Sequence, residues 1–253
     1  MIFHSKIYEP KDIDIVLNKI PFTKTIRNNK KIEYYNFPIS FDIETSSFKK
    51  FSQLNNEEIK IAVMYVWQLT FCEYTIVGRT WDEFKYVYAK LVAKFKTDEN
   101  RRLVIFVHNL SYEFQFIRKH FKWFRVFALE NRKPVQCVTV DGIEFRCSYI
   151  LSGFSLEKLA ENLTKHKIEK LKGYLNYKEL RLSKTPLTEK ELEYCTNDTK
   201  IVVAYISELL ERDGNITKLP LTKTGYVRNY CRERCFMKPP VKNRQISLKN
   251  IAI

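Results

Sequence analysis

The stretch Pro38-Ile-Ser-Phe-Asp-Ile-Glu-Thr45 decides the fold of this chain. Its apolar and polar residues alternate, which predicts a β-strand with one apolar and one polar face. Asp42 and Glu44 fall on the polar face, roughly 6–7 Å apart along the strand at about 3.3 Å per residue. Carboxylates in this arrangement can hold a divalent ion that activates water against a phosphodiester. An amphipathic strand with a solvated acidic face fits the stretch equally well.

The composition indicates a globular chain with a polyanionic partner. The 253 residues are 45% hydrophobic and include 18 Phe and 15 Tyr, which is typical of a packed core. Lys and Arg outnumber Asp and Glu by 44 to 29, so the formal net charge is +15. This excess favours nucleic acid as the partner, although the Lys usage of an AT-rich genome would also produce it.

The cysteines and the apolar runs indicate the cellular compartment of the protein. None of the six Cys forms a C-x-x-C pair, and the spacing of Cys231 and Cys235 matches neither a zinc knuckle nor a disulfide framework. No run approaches about 18 apolar residues, and Met1-Ile-Phe-His lacks the features of a signal peptide. We expect free thiols, no membrane association and a soluble cytoplasmic protein, in the host cytoplasm if the source is viral.

The residues after the acidic strand predict an α/β fold. Residues 59–78 read as two strands joined by a short turn, and Thr80 opens a capping box for a helix that continues to Phe95. The apolar run Leu103-Val-Ile-Phe-Val107 predicts a central strand covered on both faces. Helices on either side of it imply a crossover to a parallel neighbour.

Turn and capping signals divide the second half of the chain. We predict a helix over 111–121, a hairpin at Asp141-Gly142, a short helix over 154–163, a loop over 165–187, and a long helix from the capping box at Thr188 to Arg212.

The chain thus divides into an N-terminal arm (1–36), an α/β domain (37–213) and a basic C-terminal extension (214–253). The extension could grip a phosphate backbone, with Tyr226 and Tyr230 stacking on bases, or it could be a solvated linker.

Further carboxylates accompany the acidic strand. Tyr194 and Asp198 share a face of the long helix, where Asp198 interrupts an apolar stripe. Glu113 stands in the first turn of the helix after the buried strand, where ligand sites of open α/β sheets lie. A helix-surface Asp, and a Glu that favours the helix dipole, are the ordinary alternatives.

Convergence of these carboxylates with Asp42 and Glu44 in one cleft requires cations between them, because like charges repel. Ligands that are all oxygen indicate Mg²⁺ or Mn²⁺, and two such ions about 4 Å apart can clamp a phosphoryl displacement.

Three segments resemble the exonuclease motifs of the DEDD superfamily in its Tyr-containing subgroup: Asp42-Ile-Glu-Thr45, Asn109-Leu-Ser-Tyr-Glu113 and Tyr194-Cys-Thr-Asn-Asp198. Spacing and intervening residues are closest to the 3′→5′ proofreading domain of protein-primed family B DNA polymerases from phages and linear plasmids. The resemblance covers roughly residues 38–212. It implies a ribonuclease H-like mixed sheet flanked by helices, and a metal-dependent 3′→5′ exonuclease acting on single-stranded DNA. Glu113 departs from the pattern, which has Asp at this position.

The resemblance also implies residue roles. The four carboxylates Asp42, Glu44, Glu113 and Asp198 would hold the two ions. Tyr194 would orient the attacking water, and Lys172 in Leu171-Lys-Gly173 would steady the scissile phosphate. The remaining residues would hold the last nucleotides of the strand: Thr45, Asn109, Tyr112, Ser148 and Tyr177. From the residues alone, Tyr112 fits core packing, Thr45 a strand end, and Lys172 and Tyr177 a solvated loop.

No polymerase motif follows the exonuclease motifs. We therefore expect an exonuclease domain that stands alone or works with a polymerase domain or another replication protein. Two competing hypotheses remain, namely a non-catalytic module that binds single-stranded nucleic acid or supports assembly, and an RNA-trimming nuclease of the same fold.

Overall fold

The computed structural model describes residues 6–20, 25–28, 31–51, 58–173, 175–176 and 179–236. The strands are β1 Lys6–Tyr8, β2 Thr25–Arg27, β3 Glu33–Tyr35, β4 Ile39–Phe51, β5 Glu58–Phe71, β6 Tyr74–Gly78, β7 Arg101–Val107, β8 Trp123–Glu130, β9 Lys133–Thr139 and β10 Ile143–Cys147. The α-helices are α1 Ile13–Lys19, α2 Trp81–Phe95, α3 Leu110–Ile117, α4 Ser148–Ser152, α5 Leu156–Glu161, α6 Glu189–Asp213 and α7 Lys223–Phe236.

The strands form one mixed sheet in the order β1-β6-β5-β4-β7-β10-β9-β8, with β3 beside β7 and β2 beside β3. The central strands β4, β7 and β10 are parallel, whereas β5 and β6 on one side and β9 and β8 on the other are antiparallel. The predicted ribonuclease H-like mixed sheet flanked by helices is confirmed.

Helices cover both faces of the central strand β7, as its continuous apolar run predicted. Leu103 and Ile105 pack into a core with side chains of α1, α2 and α3. Val104 and Phe106, which point the other way, pack against Val202 and other residues of α6. A strand buried on both faces has no polar side to alternate, and this explains why its sequence is apolar throughout.

The acidic strand β4 lies beside β7 and is longer than its alternating sequence indicated. The predicted apolar face of β4 is buried in the α1–α3 core, where Phe41 contacts Phe84 at a ring distance of 4.6 Å. The strand continues to Phe51 as an exposed ladder with the start of β5. Its register against β5 shifts between Glu44 and Thr45, and such a bulge re-aims the side chains around it.

Local signals placed the main helices and the hairpin correctly. Thr80 and Thr188 form the predicted capping boxes of α2 and α6. The hairpin of β9 and β10 turns at Gly142, whose φ of +81° favours glycine. Helix α3 ends at Ile117, before the predicted 121, and the helix predicted over 154–163 is confined to α5. The described residues of 165–187 contain no helix or strand.

The described parts of both flanking segments contain regular structure. The described part of residues 1–36 packs onto the domain: β1 extends the sheet beside β6, and Ile13 and Val16 of α1 are fully buried in the main core. The described part of the C-terminal extension, residues 214–236, contains the helix α7, and the Tyr226 hydroxyl donates to Asp213 at 2.8 Å. Within the described residues, no helix combines the length and apolarity needed to cross a membrane.

A chain of buried hydroxyls fastens α6 to the sheet. Thr199 donates to the carbonyl of Thr196 at 3.0 Å, so its oxygen accepts from Thr70 of β5 at 2.7 Å. Thr70 in turn accepts from Thr75 of β6 at 2.9 Å. All three bonded threonines lie out of contact with solvent, next to the position of Asp198 on the helix.

Candidate active site

Three carboxylates from two distant segments meet between β4 and α6. One oxygen from each of Asp42, Glu44 and Asp198 lies within 4.8 Å of the others. The alternation of β4 turns Asp42 and Glu44 toward α6, and the helical face that Tyr194 begins carries Asp198 to the same place. The structure therefore brings together the acidic residues that the sequence singled out on these two elements.

The fourth carboxylate, Glu113, opens into the same cleft. A cavity of about 270 Å³ is lined by Asp42, Glu113, Tyr194 and Asp198, with Asn109 and Lys170 at its wall. Glu113 is 4% exposed, and its Oε2 has no hydrogen-bond partner among the described residues. A buried carboxylate oxygen without a partner is costly, so this position requires a proton or a cation.

Burial raises the pKa of every member of the cluster, and repulsion between carboxylates adds to the shift of Asp42, Glu44 and Glu113. Burial raises the pKa of Glu113 to about 8 and that of Glu44 to about 7, with repulsion from the neighbouring carboxylates adding to both shifts. For Asp42, burial and then the charges of Glu113, Glu44 and Asp198 raise the pKa well above its usual range. Burial also raises the pKa of Asp198, although Lys170 opposes this shift.

The donor set fits a divalent cation. All four groups are carboxylates, which are the ligands that Mg²⁺ and Mn²⁺ prefer, and one of their buried oxygens lacks a partner. A cation between them would stabilise the charged carboxylates against the cost of burial and against their mutual repulsion, and so would lower their pKa values.

The structure places Lys170, and not the predicted Lys172, at the wall of the cleft. Lys172 does not reach the carboxylate cluster, because its side chain is 68% exposed and pairs with Glu157. Lys170, two residues earlier, pairs with Asp198 and lies 4.4 Å above the centre of the Tyr194 ring. The Lys-rich loop has no periodicity that could have distinguished the two lysines.

Two of the residues predicted to bind DNA contact each other. The hydroxyls of Thr45 and Tyr112 are 2.5 Å apart. Tyr112 is 41% exposed and packs one side of its ring against Phe116 at 5.2 Å. Its exposed ring is therefore available for stacking, while Asn109 lines the cavity beside it.

The structure does not place Ser148, a further predicted nucleic-acid ligand, at the surface. Ser148 is fully buried, and its hydroxyl lies 3.1 Å from His108 Nδ1 and 3.4 Å from the carbonyl of Val107. The neighbouring Tyr149 is exposed instead, and its ring lies 5.8 Å from His108. Tyr177 lies outside the described residues.

His108 is a neutral member of the cavity wall. Burial, and secondarily the charge of Lys170, lower its pKa to about 4. The contact with Ser148 fixes the ring, so His108 is suited to holding the shape of the cleft.

Fold and site together define a class of protein. A mixed sheet whose acidic strand faces a carboxylate-bearing helix is the arrangement of a ribonuclease H-like fold with an acidic cleft.

The comparison with protein families identifies the family. A family model described as 3′–5′ exonuclease matches residues 13–213, so the chain belongs to this exonuclease family. No curated protein gives a significant match.

Solved structures of phi29 DNA polymerase show the same fold at low sequence identity. Phi29 DNA polymerase with primer-template DNA and incoming nucleotides is 16% identical, with a TM-score of 0.59 over 80% of this chain and 35% of the polymerase. Phi29 DNA polymerase with single-stranded DNA is also 16% identical, with a TM-score of 0.57 over 80% of this chain and 36% of the polymerase. The catalytic core of RRP6 from Trypanosoma brucei is 11% identical, with a TM-score of 0.48 over 87% of this chain and 51% of the core. The chain thus spans about a third of the polymerase that it matches.

Proposed function

We propose that this chain removes nucleotides from the 3′ ends of single-stranded DNA with two divalent metal ions, as the proofreading domain of a phage-type DNA polymerase. The observation that carries the proposal is the buried carboxylate cluster of Asp42, Glu44 and Asp198, together with the unpartnered oxygen of Glu113. Membership in the 3′–5′ exonuclease family supports hydrolysis as the reaction.

The four carboxylates would hold the ions. When bound, divalent ions lower the pKa of a water molecule and neutralise the charge that develops on the phosphate. Asp42 is central to the set, because each of the other three carboxylates affects its pKa.

The remaining residues of the cleft would position the reactants. Tyr194 is buried beside Asp198 and would orient the attacking water through its hydroxyl. A lysine ammonium in the cleft would steady the scissile phosphate, and Lys170 is the lysine with this location.

The strand itself would be held at the mouth of the cleft. The exposed ring of Tyr112 offers a stacking surface for a terminal base, and base–aromatic stacking is typically worth about 1–3 kcal/mol. Thr45 and Asn109 supply polar groups beside this ring. The fold of phi29 DNA polymerase in complex with single-stranded DNA supports this choice of substrate.

The proposal is tested with oligonucleotides labelled at the 3′ or the 5′ end, incubated with Mg²⁺, Mn²⁺ or EDTA. We expect stepwise loss of mononucleotides from the 3′ end of DNA, and no hydrolysis in EDTA. Asp42→Ala and Asp198→Ala should each reduce the rate by at least about 100-fold, since removal even of outer-sphere metal partners typically costs 10–100-fold.

Asp82→Ala is the matched control, because this exposed carboxylate lies at the start of α2 and should not affect the rate. Full activity of Asp42→Ala would refute the proposed site. Binding of DNA without turnover in either metal would instead support the non-catalytic module, and strong preference for RNA the RNA-trimming nuclease.

A further inference from the structure

Lys170 occupies the place next to Asp198 that a metal ion would need. Its ammonium contacts the carboxylate of Asp198, which belongs to the same cluster as Asp42 and Glu44. The pair is shielded from solvent, since the Lys170 and Asp198 side chains are 15% and 18% exposed. Among the described residues that line the cavity, Lys170 is the only Lys or Arg.

Repulsion between like charges indicates that Lys170 and a metal ion cannot both lie next to Asp198. One ammonium can neutralise only one of the four carboxylates, so a divalent cation that displaces the protons of the others still finds a favourable site. A divalent ion that binds Asp198 would, however, meet an ammonium at contact distance in a poorly hydrated site, where repulsion between like charges is strong.

The backbone around Lys170 is fastened in place, which leaves the side chain as the part that can move. Asn197, the residue before Asp198, accepts from the Leu171 amide at 3.1 Å and donates to the Glu169 carbonyl at 3.0 Å. These bonds hold the residues on both sides of Lys170 against α6. The flexible four-carbon stem of a lysine can still swing its ammonium by several ångströms.

We propose that Lys170 is the resident cation of the metal-free cleft, and that loading of the metal ions releases it from Asp198 to the phosphate of the bound strand. The inference depends on the metal-ion part of the proposed function. It makes Lys170 a positioning residue for Asp198 before loading and a phosphate ligand afterwards. Metal binding and engagement of the phosphate are thereby coupled through one side chain.

The test is the affinity for Mn²⁺, measured by electron paramagnetic resonance without DNA. Lys170→Met should bind Mn²⁺ about tenfold more tightly than the unmodified chain, because a competing unit charge at contact distance is removed. Lys170→Arg should restore the weaker affinity. Lys172→Met is the matched control on the same loop and should leave the Mn²⁺ affinity unchanged, since its partner is the exposed Glu157.

A second readout concerns folding of the metal-free protein. Lys170→Met should lower the thermal midpoint in EDTA, since the partner of a buried carboxylate is lost, and added Mn²⁺ should raise the midpoint of this variant more than that of the unmodified chain.

The outcomes separate the inference from the proposed function. If the unmodified chain binds Mn²⁺ and Lys170→Met binds it equally or less tightly while remaining folded, the inference is wrong and the metal site stands. If the unmodified chain binds no Mn²⁺, both fail.

Discussion

At the scale of single residues, the buried carboxylates make the stability of the metal-free protein depend on pH. The pKa values of Glu44 and Glu113 are raised from 4.5 to about 7 and about 8. The folded state therefore binds more protons than the unfolded state between these limits. Their contribution to stability is fully present below about pH 4.5 and is lost as the pH rises through 7 and 8.

We therefore expect the thermal midpoint of the protein in EDTA to fall between pH 5 and pH 8.5. Saturating Mg²⁺ or Mn²⁺ should reduce this slope, because a bound cation replaces the protons. Differential scanning calorimetry over this range, with and without the ion, measures both effects. A midpoint that rises steadily with pH in EDTA would contradict the burial of the cluster.

Glu113 itself should show opposite effects on stability and activity. Glu113→Gln replaces a buried, repelled carboxylate by an amide of the same size, so the metal-free protein should become more stable at pH 8. The thermal midpoint of this variant in EDTA should also depend less on pH. The 3′–5′ hydrolysis rate should fall, since a proposed metal ligand is lost. Circular dichroism melting and the labelled-oligonucleotide assay measure the two effects.

Glu161→Gln is the matched control, because Glu161 is exposed and pairs with Lys158. A Glu113→Gln variant with an unchanged rate would show that Glu113 is not a ligand.

At the scale of secondary-structure elements, the capping box of α6 supports the site directly. Thr188 begins the helix that carries Tyr194 and Asp198, and Glu191 of the same box pairs with Arg181 at 2.6 Å. Thr80 forms an equivalent box at α2, on the side of the sheet away from the cleft.

Thr188→Ala and Thr80→Ala should each cost about 1 kcal/mol of stability, the usual value of an N-cap. Only Thr188→Ala should also lower the hydrolysis rate, because fraying of the first turn of α6 loosens Tyr194. Urea unfolding and the hydrolysis assay distinguish the two variants. Equal rates in both would show that the start of α6 does not support the site.

The same elements show which parts of the fold can be predicted from the sequence. Capping boxes, the Asp141-Gly142 turn and the alternation of β4 are local signals, and each predicted its element because the determining contacts lie within a few residues. The apolar spacing of Ile13, Val16, Leu17 and Ile20 was an equally local signal for α1, and it could have shown that the first residues belong to the domain.

The parts that the sequence could not resolve depend on distant contacts. Lys170 and Lys172 are chemically equivalent in a loop, and the bonds from Asn197 to the backbone on either side of Lys170 hold this part of the loop against α6. Likewise, Ser148 is buried because its hydroxyl meets His108, 40 residues earlier. The family motifs predicted which carboxylates converge, whereas the surrounding polar contacts required the fold.

At the scale of the whole molecule, the net charge of +15 should govern how strongly nucleic acid is held. Binding to single strands weakens with salt by a slope of about 0.7 per phosphate contact in log–log terms. With about four contacts, affinity should fall about fiftyfold between 50 and 200 mM NaCl. Fluorescence anisotropy of a labelled oligonucleotide in Ca²⁺ or EDTA measures this dependence.

A peptide nucleic acid of the same base sequence is the control, because it has bases but no phosphates. It should bind weakly and without salt dependence. Equal affinity for both polymers would show that the basic surface does not contact the backbone.

The hydroxyl chain from Thr199 through Thr70 to Thr75 has one further consequence. Each residue of an α-helix advances the azimuth by about 100°, so a slip of α6 by one position would aim Asp198 away from β4. A buried, directional link at the adjacent residue resists such a slip in a way that methyl packing cannot. The rotational setting of the helix that carries Asp198 thus depends on a buried contact, and we expect Thr199→Val to reduce the hydrolysis rate although Thr199 lies out of contact with solvent.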